Sequence, residues 1–191
     1  MLALGTEALG DNSLSVFKYF TFQSNLFMGF VSIIYAYYQF LVIKEKRDKI
    51  PHVLTVFNHV GVTAVTLTFL IVIAFLGPLY SYSLMYTNAN LFFHLLVPLT
   101  AMINFVVFTG NEKRHFLHTL YTIIPCVLYG IVYFTVVVAT NGYGDLKIDF
   151  YGFGKDGPLI GAVNFLIVIS IAYGIGVGLY FLNKIVCKKH K

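Results

Sequence analysis

No Asp, Glu, Lys or Arg occurs anywhere between Lys49 and Glu112. An uncharged run of that length cannot fold as one soluble core. A bilayer core of about 30 Å takes about 20 apolar residues in a helix, and the run holds more than one such stretch. The rest of the chain agrees. Of 191 residues, 58% are hydrophobic and only 11% are charged, where soluble domains carry roughly 25%. This composition excludes disorder. It implies an all-α, polytopic transmembrane helix bundle, a single integral membrane domain over residues 1–191, with membrane lipids as its immediate partners. The net charge of +5 raises the question of nucleic acid, and the placement of the charges answers it otherwise.

Five stretches are apolar enough to span, at approximately 17–43, 53–76, 91–108, 116–139 and 159–182. Unpaired backbone groups are not tolerated in lipid, so these are helices. They are too long for barrel strands and lack strict alternation. Lys44, Lys46, Arg47 and Lys49 follow the first stretch. Lys113 and Arg114 follow the third, and Lys184, Lys188, Lys189 and Lys191 follow the fifth. These are ten of the thirteen basic residues, all in alternate connections. The opposite connections hold Glu7, Asp11, Asp145, Asp149 and Asp156, with Lys18, Lys147 and Lys155. The positive-inside rule then places the N-terminus outside and the C-terminus in the cytoplasm. The +5 therefore describes topology, and no nucleic-acid partner is expected.

Residues 1–13 lack the basic start and long apolar run of a signal peptide. They read as a short outer segment or as the end of a preceding helix. Tyrosines cluster where headgroups are expected, at Tyr35, Tyr37 and Tyr38 and at Tyr80, Tyr82 and Tyr86. Gly77–Pro78 reads as the stop of the second span. Pro98 and Pro125 lie inside spans and should kink them.

Polar groups are expensive in lipid, which makes the few inside the spans informative. Thr21, Ser24 and Asn25 share one helical face, continued by Gly29 and Ser32. That face either packs against other helices or forms a site. His94, with Asn90 one turn before it and Pro98 one turn after, lies about as deep in its span as Thr21 does. A neutral imidazole can take the proton of a hydroxyl nucleophile. A third group can orient the ring, and Asp149 in the aromatic, glycine-rich segment Asp149–Phe150–Tyr151–Gly152–Phe153–Gly154 is the candidate. Gln23 or Asn25 can serve a developing oxyanion.

The other polar residues carry less. His52 and His59 share a face, and His115-x-x-His118 is a short pair, but neither set has the ligand complement of a metal site. No metal and no cofactor are expected. Cys126 and Cys187 lie at different depths and should not pair. Asn104 and Asn164 read as bonds across helices. Ser170, Gly174 and Gly178 form a small-residue ladder that permits close helix contact, within the bundle or in a homo-oligomer.

Several motifs resemble a known family. Lys18–Tyr19–Phe20–Thr21–Phe22–Gln23–Ser24–Asn25–Leu26 resembles the YFT-x-QSN-L opening of bacterial proline-rich six-pass membrane proteins. Asn90–Leu91–Phe92–Phe93–His94–Leu95–Leu96–Val97–Pro98 resembles their NL-x-x-H-x-x-x-P segment. Pro125–Cys126–Val127–Leu128–Tyr129–Gly130 and Asp149–Phe150–Tyr151–Gly152–Phe153 resemble two later motifs. A more distant similarity reaches the androgen-induced and androgen-dependent TFPI-regulating proteins. Those are intramembrane threonine hydrolases of fatty-acid esters, and the resemblance implies Thr21 and His94 as the reacting pair. It also implies a sixth helix ahead of Thr21, where this chain begins.

Two readings follow for a multi-pass protein of the bacterial cell membrane. One is an intramembrane hydrolase of lipid-like esters, with Thr21 as nucleophile, His94 as base and Asp149 as orienting group. The other is a non-enzymatic component, such as a small-molecule or lipid carrier or an assembly partner. No Asp or Glu lies within any span, which argues against ion-coupled transport.

Overall fold

The computed structural model describes residues 13–109, 115–145 and 147–189. Glu7, Asp11, Glu112, Lys113, Arg114 and Lys191 lie outside this range, as do residues 1–12 as a whole. Among the described residues, five helices are long and apolar enough to cross a membrane: α1 (Phe20–Ile43), α2 (His52–Tyr80), α3 (Ala89–Phe108), α4 (Phe116–Ala139) and α5 (Pro158–Cys187). There is no strand among the described residues. The chain is an all-α bundle of transmembrane type, as the charge-free runs require.

Helix α2 is the centre. Its apolar window is 61% buried, against 17–28% for the other four. Its sequence suits that place, because small and β-branched residues let neighbours approach from every side. The threonines on it solve their own hydrogen-bonding problem. Thr63 donates to the His59 carbonyl at 2.9 Å and Thr66 to the Val62 carbonyl at 2.7 Å, so buried hydroxyls need no partner helix. Met28 of α1, Val62 and Val65 of α2, Phe105 of α3 and Leu179 of α5 form one apolar cluster. Leu67, Cys126 and Ala172 bring α4 onto α2 and α5. Outward-facing Phe30, Ile33 and Leu166 are exposed, as lipid-facing side chains should be. Both cysteines are free.

The prolines act differently from the expectation. Gly77–Pro78 does not close α2, which continues through Tyr80. A π-helical turn, Val72–Leu76, precedes Pro78, and a second one, Phe92–Leu96, precedes Pro98. Proline offers no N–H and its ring crowds the carbonyl four residues back. The wider π turn relieves both problems without ending the helix. Pro125 sits second in the α-helical part of α4, just after the 3-10 stretch Phe116–Ile123. All three prolines thus lie where the winding changes. The true stop of α2 is Ser81, whose φ of 122° breaks the helical path.

The small-residue ladder on α5 also divides. A Cβ added at Gly174 or Gly178 would meet nothing within 4 Å, so those positions and exposed Ser170 make no close contact inside the chain. Gly176, on another face, is the intramolecular contact. A Cβ there would collide with the Thr122 side chain, and its carbonyl accepts a 2.9 Å bond from His59 Nε2.

Hydrogen bonds define the two ends of the bundle. At one end, which we call the loop end, segment 140–157 folds over the start of α1. The Phe20 N–H donates to the Tyr151 hydroxyl at 3.1 Å, and Tyr129 donates to the Lys18 carbonyl at 2.6 Å. Tyr151 thereby caps one orphan donor of a helix whose N-cap residue, Tyr19, supplies no side-chain cap. Burial raises the Tyr151 hydroxyl to about 12, so it stays protonated. The opposite, basic end carries Lys44, Lys46, Arg47, Lys49 and Lys184.

Candidate functional site

The polar face of α1 points into the bundle, but its groups are largely committed. Ser24 and Asn25 are buried and Thr21 is half-buried. The Thr21 carbonyl accepts from Ser24 Oγ at 3.1 Å and from Asn25 Nδ2 at 2.8 Å. Asn25 Nδ2 also donates to the Phe93 carbonyl at 3.2 Å, across to α3. This bond places the Thr21–Asn25 turn opposite the π turn that holds His94. The two turns thus lie at one level of the bundle. Thr21 and His94 are not hydrogen-bonded to each other among the described residues.

His94 is buried, and its Nδ1 lies 2.9 Å from the Met85 carbonyl. A carbonyl can only accept, so the proton sits on Nδ1 and Nε2 keeps the lone pair. Asn90, one turn earlier, donates to the Leu84 carbonyl at 3.4 Å. Together these two side chains fasten the short helix Tyr82–Met85 over the start of α3.

Asp149 serves another part of the molecule. It is fully buried, and its carboxyl accepts from Tyr133 Oη, from the Gly144 N–H at 3.1 Å and from the Gly154 N–H at 2.9 Å. Both oxygens are thus occupied by loop and α4 donors, and the ring of His94 is oriented by Met85 instead. The oxyanion assignment changes for Asn25. Both N–H bonds of Asn25 go to carbonyls, and one of Gln23 goes to the Phe17 carbonyl at 2.6 Å. Asn25 Oδ1 remains buried without a partner. An acceptor there cannot stabilise an oxyanion.

An open groove lies alongside α1. A groove of about 1040 Å³ runs between α1 and α4, with α2 as its floor. Phe20, Phe27, Val60, Ala64, Leu128 and Val132 give it an apolar wall. Leu128 and Val132 are more than half exposed, so the groove opens sideways to the membrane. It extends along α4 from Tyr121 to Val136, about 22 Å at 1.5 Å per residue. Gln23 and Ser24 line it, whereas Thr21 and His94 do not. At the loop end it is bordered by Lys18, Lys147 and Phe150. No residue pattern announces such a groove, because it arises from the spacing of two helices and not from any side chain.

The histidines near the basic end are brought closer than their sequence positions imply. The His118 ring lies 4.8 Å from that of His52 and 5.4 Å from that of His115, at 53° and 88°. These are packed rings, and no group of three metal-binding side chains is arranged around an ion among the described residues. His59 is separate: it bonds Gly176 and stacks on Phe105 at 4.8 Å.

Comparison with protein-family models, with curated proteins and with solved structures found no match to this chain. The site must therefore speak through its own geometry.

Proposed function

We propose that this protein is a non-enzymatic lipid-binding component of the bacterial cell membrane, with its C-terminus in the cytoplasm and its loop end outside. The groove between α1 and α4 carries this reading. It is apolar, opens to the bilayer, and is longer than one leaflet, which is about 15 Å deep. Its volume of about 1040 Å³ sits at the top of the range of about 300–1,000 Å³ typical of small-molecule sites. The asymmetry of basic residues supports the orientation.

The test is lipid binding by the purified full chain in mild detergent, read by native mass spectrometry. Leu128→Trp fills the groove from a lipid-exposed position and leaves the core alone. It is expected to weaken lipid binding by about tenfold, equivalent to about 1.4 kcal/mol. Equal binding by both proteins would refute the groove as the site. In cells, fusion of a fluorescent reporter to the C-terminus reads the orientation.

One observation favours the hydrolase as a second reading. The Asn25–Phe93 bond sets Thr21 and His94 on facing elements, and the Met85 carbonyl leaves Nε2 of His94 as the basic atom. The resemblance to threonine hydrolases supports the same pair. On this reading a fluorophosphonate probe labels the purified protein and fails to label Thr21→Ala. Absence of labelling in the unaltered protein eliminates it. The open Ser170–Gly174–Gly178 face would suit a homo-oligomer contact in either case.

A further inference from the structure

We propose that the occupant of the groove is a two-chain phospholipid with a net negative headgroup, its phosphate held between Lys18 and Lys147. This rests on the lipid-binding reading and specifies the ligand. The first observation is where the charges fall. Only three cations, Lys18, Lys147 and Lys155, lie toward the loop end in the sequence. Two of these three border the groove, at the same end. An apolar trough with cations at one end matches an amphiphile with an anionic head.

The second observation is that neither ammonium group has a carboxylate partner among the described residues. Neither Lys18 nor Lys147 makes an ion pair among the described residues. Two described acids of the loop are turned to its own backbone and to α4. Asp149 is buried under its three donors, and Asp145 Oδ1 accepts from the Lys147 backbone N–H at 2.9 Å. Lys18 Nζ instead rests 5.1 Å from the Tyr19 ring centroid and 5.2 Å from that of Phe150. Aromatic faces hold a cation in place without neutralising it. Lysines near a membrane surface attract anionic lipid, and here two of them border one trough.

The third observation is size. Taking a methylene to fill about as much space as a liquid water, about 30 Å³, two sixteen-carbon chains need on the order of 900 Å³, close to the 1040 Å³ present. One chain would leave about half of an apolar groove unfilled. The phosphodiester is favoured over a single-chain carboxylate on this ground. A zwitterionic phospholipid fills the groove equally well but brings its own ammonium or choline toward the lysines.

The experiment titrates the full chain in detergent with dioleoyl phosphatidylglycerol, dioleoyl phosphatidylcholine and oleate, read by native mass spectrometry. The expected result is at least tenfold tighter binding of the phosphatidylglycerol than of the other two. Lys18→Gln with Lys147→Gln should reduce that lipid to the phosphatidylcholine level and leave phosphatidylcholine unchanged. Lys155→Gln, outside the groove, should keep the preference. Equal binding of the two phospholipids by the unaltered protein overturns the proposal, as does a preference that survives the double substitution. Tighter binding of oleate overturns the two-chain assignment. Absence of binding by any of the three would instead remove the lipid-binding reading itself.

Discussion

Replacing Asp149 with alanine is expected to destabilise the protein by about 3 kcal/mol, since each buried donor left unsatisfied costs about 1–3 kcal/mol. Three donors converge on this carboxyl: Tyr133 Oη and the N–H groups of Gly144 and Gly154. Tyr133 and Gly154 are buried, so water cannot replace the lost acceptor there, whereas Gly144 is exposed. The loop relies on the same point for its shape, because Gly144 and Gly152 have φ of +73° and +69° and contribute no side chains to hold it. Asp149→Asn retains one acceptor oxygen but turns an amide toward N–H donors, so a smaller loss is expected. Thermal unfolding in detergent measures both variants. Hydrogen exchange should quicken in segment 142–154 in both, and most in the alanine variant. Because Lys147, Ile148 and Phe150 border the groove, lipid binding should weaken with it. An unchanged unfolding midpoint in Asp149→Ala would contradict this account.

The spans were largely legible in the sequence, because lipid permits few alternatives to an apolar helix. The stretch 116–139 coincides with α4, and 91–108 starts two residues inside α3. The misreadings occur where a local rule met a tertiary solution. Gly77–Pro78 carries a stop signal, and a π turn cancels it. Helix α5 outruns the apolar stretch 159–182, because the helix continues past its apolar part into Lys184.

The candidate site was legible in one respect. Thr21, Ser24 and Asn25 share a face because of helical period, and Asn25 uses that face to reach α3. The partner of His94 was not legible. It is a main-chain carbonyl, and every residue has one, so no residue type marks Met85. Asp149 was singled out for its segment, and the segment does fold over the start of α1. Its carboxyl holds that fold together and does not reach the histidine as a hydrogen-bond partner. The groove left no trace in residue pattern, since the same apolar side chains would line a tightly packed seam.

Asn183 makes the sharpest contrast with sequence reasoning, which selected Asn104 and Asn164 for bonds across helices. Asn104 is exposed, and Asn164 donates at 3.4 Å to Phe153 in the loop. Asn183 is buried on α5, and its Nδ2 lies 2.8 Å from the Phe105 carbonyl and 2.9 Å from that of Thr109. The first carbonyl lies in the last turn of α3 and the second just after it, where a helix has no N–H groups left to offer. Phe105 and Thr109 are buried away from water, so the Asn183 amide, with Cys187 Sγ 3.6 Å from the Thr109 carbonyl, supplies donors to this end from the neighbouring helix. Asn183→Ala is therefore expected to cost about 2 kcal/mol, between the small average of interhelical bonds in membranes and the larger penalty of buried, orphaned acceptors. Asn104→Ala, at an exposed position, should stay within about 0.5 kcal/mol. Unfolding of both variants in the same detergent decides the matter. If Asn104→Ala is the more damaging, the α3–α5 contact is not what holds the basic end together.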